Sequence, residues 1–280
     1  MNVVEYSVEP LLRVAQAFAA TPRVMAELGR LLRDPNADLD EITVHIKRDG
    51  VLAARLLRIA NSAAFAHSGK VASIEEAAAL VGFNEIHRLV GAVAVDQFST
   101  FTFPLYGIAS RRLRENSLFG ALLMEELAAF AGEPPQAAYA IGLFRGLGKI
   151  ALEKLAAESA PVPGFSPGGD TELVQWEKQM FGITGNAATA VILRHWHYPP
   201  AVSQAIAEHF DPAGRTLRLT HLLNLAAGIA DQLGYGLPGE KQYWGDTETG
   251  YRNAGIDPSG SQTHLDRATK AFERLSRAIG

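Results

Sequence analysis

The stretch AIGLFRGLGKIALEKL, Ala140 to Leu155, places three glycines and a lysine within eight residues. Phosphate-binding loops read GxxxxGK[ST], follow a buried strand and open a helix, so that backbone N–H groups surround the phosphates. Here five residues, not four, separate Gly142 from Gly148, and Ile150 stands where the magnesium-binding hydroxyl belongs. The preceding residues PPQAAYAIG have helical character. The stretch is therefore not predicted to be a phosphate-binding loop of this kind.

The composition predicts a folded chain with a large core. Its 280 residues are 48% hydrophobic, and it has no cysteine, which excludes disulfides, thiolate metal sites and cysteine nucleophiles. The formal charge of -4 gives no general attraction to a polyanion, so no nucleic-acid partner is expected. The start MNVVEYSVEP lacks a basic region followed by an apolar run, and no segment has the apolar length of a membrane span. These features predict a cytoplasmic protein without a membrane partner.

Helical patterns recur along the chain. The apolar periods are Leu52–Leu56–Ile59, Ile86–Leu89–Val90–Val93 and Leu123–Leu127–Phe130. Helix starts are predicted at Thr21 with Pro22, at Asp38 with Glu41, and at Ser73 with Glu76. Alternating strand patterns are not convincing anywhere. The sequence thus predicts an all-α protein of about a dozen helices.

Breaks in these patterns suggest how the chain is organised. PVPGFSPGGD, residues 161–170, is predicted to be a loop because of its prolines and glycines. FTFPLYGI, residues 101–108, suggests a boundary between an N-terminal lobe, 1–105, and a C-terminal lobe, 106–280. An irregular region at 234–261 carries aromatic residues, among them Tyr243, Trp244 and Tyr251, and is predicted to pack on its own domain.

Several segments, in order, resemble the HDOD domain, a family of output-domain relatives of the HD metal-dependent phosphohydrolases. They are KRDGVLAARLLRIANSAAF (47–65), VASIEEAAALVGFNEIHRLVGAVAV (71–95), RENSLFGALL, AIGLFRGLGKIAL, WHYPPAVSQAIAEHF and GIADQL. The resemblance covers about residues 10–234 and implies a multi-helix HD-like bundle with two helical lobes. Gly50 stands where the family usually has the proline of a turn.

The resemblance also implies where a metal site would lie. HD enzymes hold divalent metals with a histidine, an adjacent His-Asp pair, further histidines and a distant aspartate. The corresponding positions here are Asn116, Arg145, Gly146, Gly185, His209 with Phe210, and Asp231. Guanidinium has no lone pair, glycine has no side chain, and a neutral amide is a poor ligand. We therefore expect a vestigial site with no metal, no cofactor and no catalytic residue, so that the protein is not an enzyme.

Arg145 leaves two interpretations open. It could form an internal ion pair, with Asp231 as the expected partner, joining two helices as the metal once did. Alternatively, Arg145 and Lys149 could be a candidate anion-binding site for a phosphate or carboxylate. Gly146 and Gly148 are expected to allow close helix packing or a turn.

Three functions follow from these interpretations. HDOD proteins occur in bacterial signal transduction and are thought to act through protein contacts, which implies a non-catalytic regulatory module with other signalling proteins as partners. The alternative is a sensor that binds a small anionic ligand, such as a nucleotide, in the vestigial cleft. The third, with least support, is a metal-dependent phosphohydrolase with replacement ligands.

Overall fold

The chain folds into α-helices, as its apolar periods predict. The computed structural model describes residues 8–16, 24–27, 30, 39–65, 70–97, 101–158 and 161–279. Within these ranges fourteen α-helices have both ends described, residues 24–27 are also helical, and there are three short 3-10 helices and one isolated β-bridge between Phe103 and Ile108. The prediction of an all-α fold is confirmed.

The helices are numbered in chain order. They are α1 Val8–Gln16, α2 Leu39–Lys47, α3 Gly50–Ala60, α4 Ile74–Val81, α5 Phe83–Asp96, α6 Ser110–Ala131, α7 Pro135–Phe144, α8 Leu147–Ala157, α9 Leu173–Phe181, α10 Gly185–His195, α11 Pro200–Glu208, α12 Arg218–Gln232, α13 Thr247–Asn253 and α14 Ser261–Ile279. The 3-10 helices are Ala63–Phe65, Lys241–Tyr243 and Pro258–Gly260. No single helix in the described ranges is long and apolar enough to cross a membrane, although α4 and α5, bent by 118°, pass that test when joined.

Side-chain caps fix the starts of the N-terminal helices. Asp49 accepts hydrogen bonds from the backbone N–H groups of Val51 and Leu52, both at 3.0 Å, and so starts α3. Ser73 starts α4 by accepting from the N–H of Glu76 at 3.1 Å, which confirms the predicted cap. The other two predicted starts, at Thr21 and Asp38, lie outside the described residues.

The predicted apolar periods face the core with one exception. Every member of the 52–59 and 86–93 sets is buried, as are Leu123 and Leu127. Phe130 is 49% exposed because it lies in the last turn of α6, where its ring meets His264 on α14 at a centroid distance of 4.5 Å. The 22-residue helix α6 lies centrally and packs against α7, α12 and α14.

One helix of the expected N-terminal lobe packs against helices of the expected C-terminal lobe. Helix α1 packs against α8 and α10, and Arg13 forms a surface ion pair with Glu158. The division into lobes at 105 and 106 stays a prediction. The turn at 103–108, by contrast, does interrupt the helices as predicted, and Tyr106 within it is buried.

The region 234–261 is more ordered than the sequence suggested. It contains α13 and two 3-10 helices, so the prediction of an irregular segment was only partly right. Asp246 explains part of this order, since it caps α13 by accepting from the N–H of Thr249 at 2.9 Å. Tyr251 is buried, while Tyr243 stacks on Phe210, so the aromatics pack on their own domain as predicted.

The glycines of the opening stretch allow helices to meet at backbone distance. A Cβ on Gly148 would overlap the carbonyl oxygen of Gly185 and lie 2.9 Å from the backbone N of Thr189. A Cβ on Gly142 would overlap the backbone of Gly120 in the same way. Gly148 therefore brings α8 against α10, and Gly142 brings α7 against α6.

We expect Gly148→Ala to lower the free energy of unfolding by about 3 kcal/mol or more, because a backbone atom cannot move aside as a side chain can. Gly50→Ala is the matched control, since nothing lies within 4 Å of its added Cβ and the position is the first of α3. The control should be neutral or stabilising by up to about 1 kcal/mol. Urea denaturation of both variants measures the difference, and equal stabilities would contradict this account of the glycine-rich stretch.

Candidate functional site

A buried cluster of charged side chains occupies the place where the HD metal site was expected. Arg145 lies in the turn between α7 and α8 and is 4% exposed. Its Nη2 donates to Glu240 Oε2 at 2.8 Å and to Asn116 Oδ1 at 3.0 Å. Its Nη1 lies 3.5 Å from Nε2 of His209. One guanidinium thus joins α6, the end of α11 and the segment after α12.

Lys149 is the second buried cation of the cluster. It lies on the first turn of α8 and is 3% exposed. Its Nζ is 3.2 Å from Glu240 Oε1 and 3.5 Å from Glu177 Oε1, with angles unfavourable for hydrogen bonds, so the attraction is mainly Coulombic. The ring of Tyr106 lies 5.3 Å from this ammonium, in cation–π range.

Glu177, on α9, occupies the space beside Gly185. Its Oε2 accepts from the backbone N of Gly185 at 2.8 Å, and its Oε1 accepts from the hydroxyl of Tyr106 at 3.1 Å. A Cβ on Gly185 would lie 2.8 Å from Glu177 Oε1. A side chain at position 185 would therefore displace this carboxylate, so a histidine does not fit here in the present arrangement.

His209 is fully buried and neutral. Its Nδ1 lies 2.7 Å from the carbonyl oxygen of Ile206, which can only accept, so Nδ1 carries the proton and Nε2 presents its lone pair to Arg145. Burial, reinforced by the charge of Arg145, lowers the pKa of His209 from 6.5 to about 3. The only lone pair of this imidazole is directed at a guanidinium.

Glu240 reaches the cluster from the segment after α12. Burial alone would raise its pKa, but the charges of Arg145 and Lys149 hold the pKa below the usual 4.5. The amide of Asn224 holds the segment in place by donating to the carbonyl oxygens of His209 and Tyr243, at 2.8 and 3.0 Å. The Glu240 carboxylate is therefore ionised and fixed between two cations.

Aromatic rings from the same segment pack against His209, Phe210 and Arg145. Tyr243 stacks on Phe210 with centroids 4.3 Å apart, and Trp244 stacks on His209 at 5.9 Å. The guanidinium of Arg145 lies 5.7 Å from the Trp244 ring. Arg145, Lys149 and Glu240 are each less than 5% exposed, so their charges interact more strongly than they would in water.

The donor set does not fit a divalent metal. Of the side chains in contact with Arg145, Asn116 is a neutral amide and His209 already directs its lone pair at the guanidinium. Glu240 is the one carboxylate among them, and it is shared between two cations. Within the described ranges no three His, Asp or Glu side chains are placed to hold a metal ion. A cation entering here would meet two fixed positive charges.

The structure brings together most, not all, of the residues expected at the site. Asn116, Arg145 and His209 are in direct contact, Lys149 joins them through Glu240, and Gly185 adjoins them through Glu177. Gly146 adjoins the cluster only through its backbone, since its carbonyl oxygen accepts from the N–H of Lys149 at 3.1 Å, and Asp231 is not in this contact network. A Cβ on Gly146 would meet only the side chain of Leu113, at 3.0 Å.

The expected partner of Arg145 was wrong. Asp231 lies in a separate surface groove with Arg112 and Lys241, whereas the ion pair of Arg145 is made by Glu240. Asp231 precedes the turn at Gly234, which has a φ of 84°, and it is Glu240, after that turn, which enters the cluster. The general expectation of an internal ion pair is thus met by a different carboxylate.

Comparison with known proteins identifies the family and the fold. The profile of the HDOD domain matches residues 18–212. The chain belongs to the HDOD family. A curated relative of this HDOD protein is the uncharacterized protein YuxH of Bacillus subtilis (strain 168), 32% identical over 120 residues. That match spans 42% of the chain and 28% of YuxH.

Solved structures share the fold of this HDOD protein. An HDOD domain protein of unknown function from Geobacter sulfurreducens has a TM-score of 0.63 at 19% identity, covering 96% of this chain and 99% of that one. A protein from Shewanella amazonensis SB2B, provisionally named a phosphohydrolase, has a TM-score of 0.63 at 22% identity, and the match covers 97% of this chain and 98% of that one. A protein from Marinobacter aquaeolei VT8, provisionally named a signal transduction protein, has a TM-score of 0.70 at 23% identity, and the match covers 93% of this chain and 58% of that one.

Proposed function

We propose that this HDOD protein is a non-catalytic regulatory module of signal transduction that acts through contacts with other proteins. The observation that carries the proposal is the buried ion pair between Arg145 and Glu240, in the cluster where the family resemblance led us to expect a metal site. A hydrolytic metal needs lone pairs and an open coordination position, and a guanidinium offers neither.

The relatives and the surface add support. A protein of this fold is provisionally named a signal transduction protein, although another is provisionally named a phosphohydrolase. Large apolar side chains are exposed on three N-terminal helices, at Val44, Val51 and Leu80. Such side chains are suited to protein contacts. The 234–261 region offers less of this surface, because its aromatics pack inward.

The alternative function, a sensor with its anion site in the vestigial cleft, meets an obstacle. Arg145 and Lys149 are buried and already face the carboxylates of Glu240 and Glu177. An external anion would have to displace the carboxylate of Glu240 from between these two cations. Burying a further anion beside two carboxylates is unfavourable, so we place this function second.

We expect purified protein to show no hydrolysis of bis(p-nitrophenyl) phosphate above buffer in the presence of Mn²⁺, Fe²⁺ or Zn²⁺. We also expect well below one equivalent of bound metal after removal of free ions, since the donor set is inadequate. Elemental analysis and a discontinuous phosphodiesterase assay measure the two quantities on the same sample.

A variant distinguishes true activity from a contaminant. His209→Gln removes the one imidazole of the cluster, so activity of this site should fall in the variant while contaminant activity should not. Stoichiometric metal together with hydrolysis that His209→Gln abolishes would contradict the proposal. The variant must first be shown to be folded, by its helical circular dichroism.

A further inference from the structure

An open groove lies beside α14, and none of its lining residues belongs to the buried cluster or to the groove at Asp231. Its volume is about 540 Å³, within the range of small-ligand sites. It is bounded by the 3-10 helix Ala63–Phe65, by α5, by α6 and by α14. The lining residues are Ala63, Ala64, Arg88, Glu126, Arg267, Lys270, Ala271, Arg274 and Arg277.

Four of the cations belong to one face of α14. Arg267, Lys270, Arg274 and Arg277 follow one another at intervals of three, four and three residues. This spacing places them on a single stripe about 15 Å long, with neighbouring Cβ atoms about 5–6 Å apart. Adjacent cations can therefore bind the same small anion together.

The groove holds more positive than negative charge. Arg88, at its base, is neutralised by Glu85 and Glu125, with N–O distances of 3.3 and 2.7 Å. Arg274 contacts Glu85 at 2.7 Å, and Arg267 is 3.8 Å from Glu126. Five cations thus face three carboxylates.

Two cations of the groove have no carboxylate partner. Within the described residues, neither Lys270 nor Arg277 lies within 4.0 Å of an acidic group; Arg277 donates only to the backbone oxygen of Glu273, at 3.2 Å. Both side chains are exposed. They can therefore bind an incoming anion without breaking an existing ion pair, unlike Arg145 and Lys149 in the buried cluster.

The groove also has room for a ligand, and one of its cations is held in a fixed position. Small side chains, Ala63, Ala64 and Ala271, line it between the cations. The guanidinium of Arg274 is held over the Phe65 ring, 5.0 Å from its centroid. A guanidinium fixed in this way loses less conformational entropy when it binds an oxyanion.

We propose that this groove binds a small molecule carrying two or more linked phosphate groups. Three arginines and a lysine on one stripe match closely spaced oxyanions. One guanidinium can donate two parallel hydrogen bonds to two oxygens of the same phosphate group. A long acidic peptide or a nucleic acid fits less well, because Glu126 on the groove wall would repel an extended polyanion. The site lies apart from the vestigial metal position and does not depend on the function proposed above.

Titration calorimetry with tripolyphosphate, at constant ionic strength of about 0.15 M, tests the proposal. We expect one site per chain and at least a tenfold loss of affinity in Lys270→Gln/Arg277→Gln, because this variant removes the two cations that have no carboxylate partner. A tenfold loss corresponds to about 1.4 kcal/mol of binding free energy. Lys178→Gln/Arg194→Gln is the matched control, since it removes one lysine and one arginine that are exposed on α9 and α10. The control should bind as the wild type does.

Each other outcome counts against the proposal. No binding, or equal loss in both double variants, would mean that the groove does not recognise phosphates specifically. A twelve-residue peptide of alternating glutamate and alanine serves as the second ligand. Binding of this peptide but not of tripolyphosphate, abolished by Lys270→Gln/Arg277→Gln, would identify a surface for acidic protein segments instead. Both double variants replace exposed residues, so their melting temperatures should match the wild type.

Discussion

Replacing Glu240 with alanine is expected to lower the free energy of unfolding by about 3–5 kcal/mol, the cost of removing one partner from a buried ion pair. The carboxylate is 1% exposed and lies between two cations. Without it, Lys149 keeps Glu177, but Arg145 keeps only the neutral acceptors of Asn116 and His209. The variant therefore leaves an uncompensated positive charge in the core.

Glu248→Ala is the control for this prediction, because Glu248 lies in the same segment and is exposed. It is in the first turn of α13, so its loss should cost no more than about 1 kcal/mol. Glu240→Gln adds a second comparison, since it retains the side-chain volume but removes the charge. Urea denaturation at neutral pH should order the three variants Glu248→Ala, Glu240→Gln, Glu240→Ala from most to least stable.

A double-mutant cycle separates the ion pair from lost packing. Arg145→Met removes the guanidinium but keeps an unbranched side chain, and Glu240→Ala in that background should cost less than in the wild type. A coupling free energy below about 0.5 kcal/mol would show that the two residues act independently. That result would contradict the view that this ion pair took over the joining of helices from a metal.

The sequence was sufficient for the helices and for three residues of the cluster. Buried periods such as Leu52–Leu56–Ile59 follow from local spacing, which the fold preserves. Asn116, Arg145 and His209 could be placed because the segments that contain them resemble family segments whose helices meet. Family likeness indicates which positions meet in space, and the structure does bring the side chains of Asn116, Arg145 and His209 into contact.

The same likeness could not identify the carboxylates. Glu240 lies beyond the matched region of 18–212, in a segment where no periodicity fixes which side chain turns inward. Asp231 was preferred because it occupies a family ligand position. One physical signal was available, since two buried cations require two carboxylates nearby. That rule predicts the number of acidic partners, but only the path of the chain after Gly234 selects Glu240.

Acid is expected to destabilise the protein in a way that depends on two residues. His209 has a pKa of about 3 in the folded chain and about 6.5 when unfolded, so the unfolded state binds more protons between these values. The contribution of His209 to the free energy of unfolding is fully present above pH 6.5. It falls by about 1.4 kcal/mol per pH unit as the pH drops to 3, which is about 5 kcal/mol in total. Glu240, whose folded pKa is lowered, adds a loss of the same sign below pH 4.5.

The titration of Glu125 changes the stability in the opposite direction. Burial, only partly offset by Arg88, raises its pKa from 4.5 to about 6, so the folded state binds more protons in that window and stability rises as pH falls from 6 to 4.5. This gain, about 2 kcal/mol, nearly cancels the loss from His209 over the same range.

The wild type should therefore show an almost flat stability profile between pH 6 and 4.5, then a steep decline. Glu125→Gln removes the compensating titration, so its stability should fall steadily from pH 6.5 downward. Urea denaturation of both proteins at half-unit pH intervals measures the two profiles. Parallel profiles would contradict the opposed titrations, whereas a flat wild-type profile that continues to pH 3 would show that His209 is not held neutral by the buried charges around it.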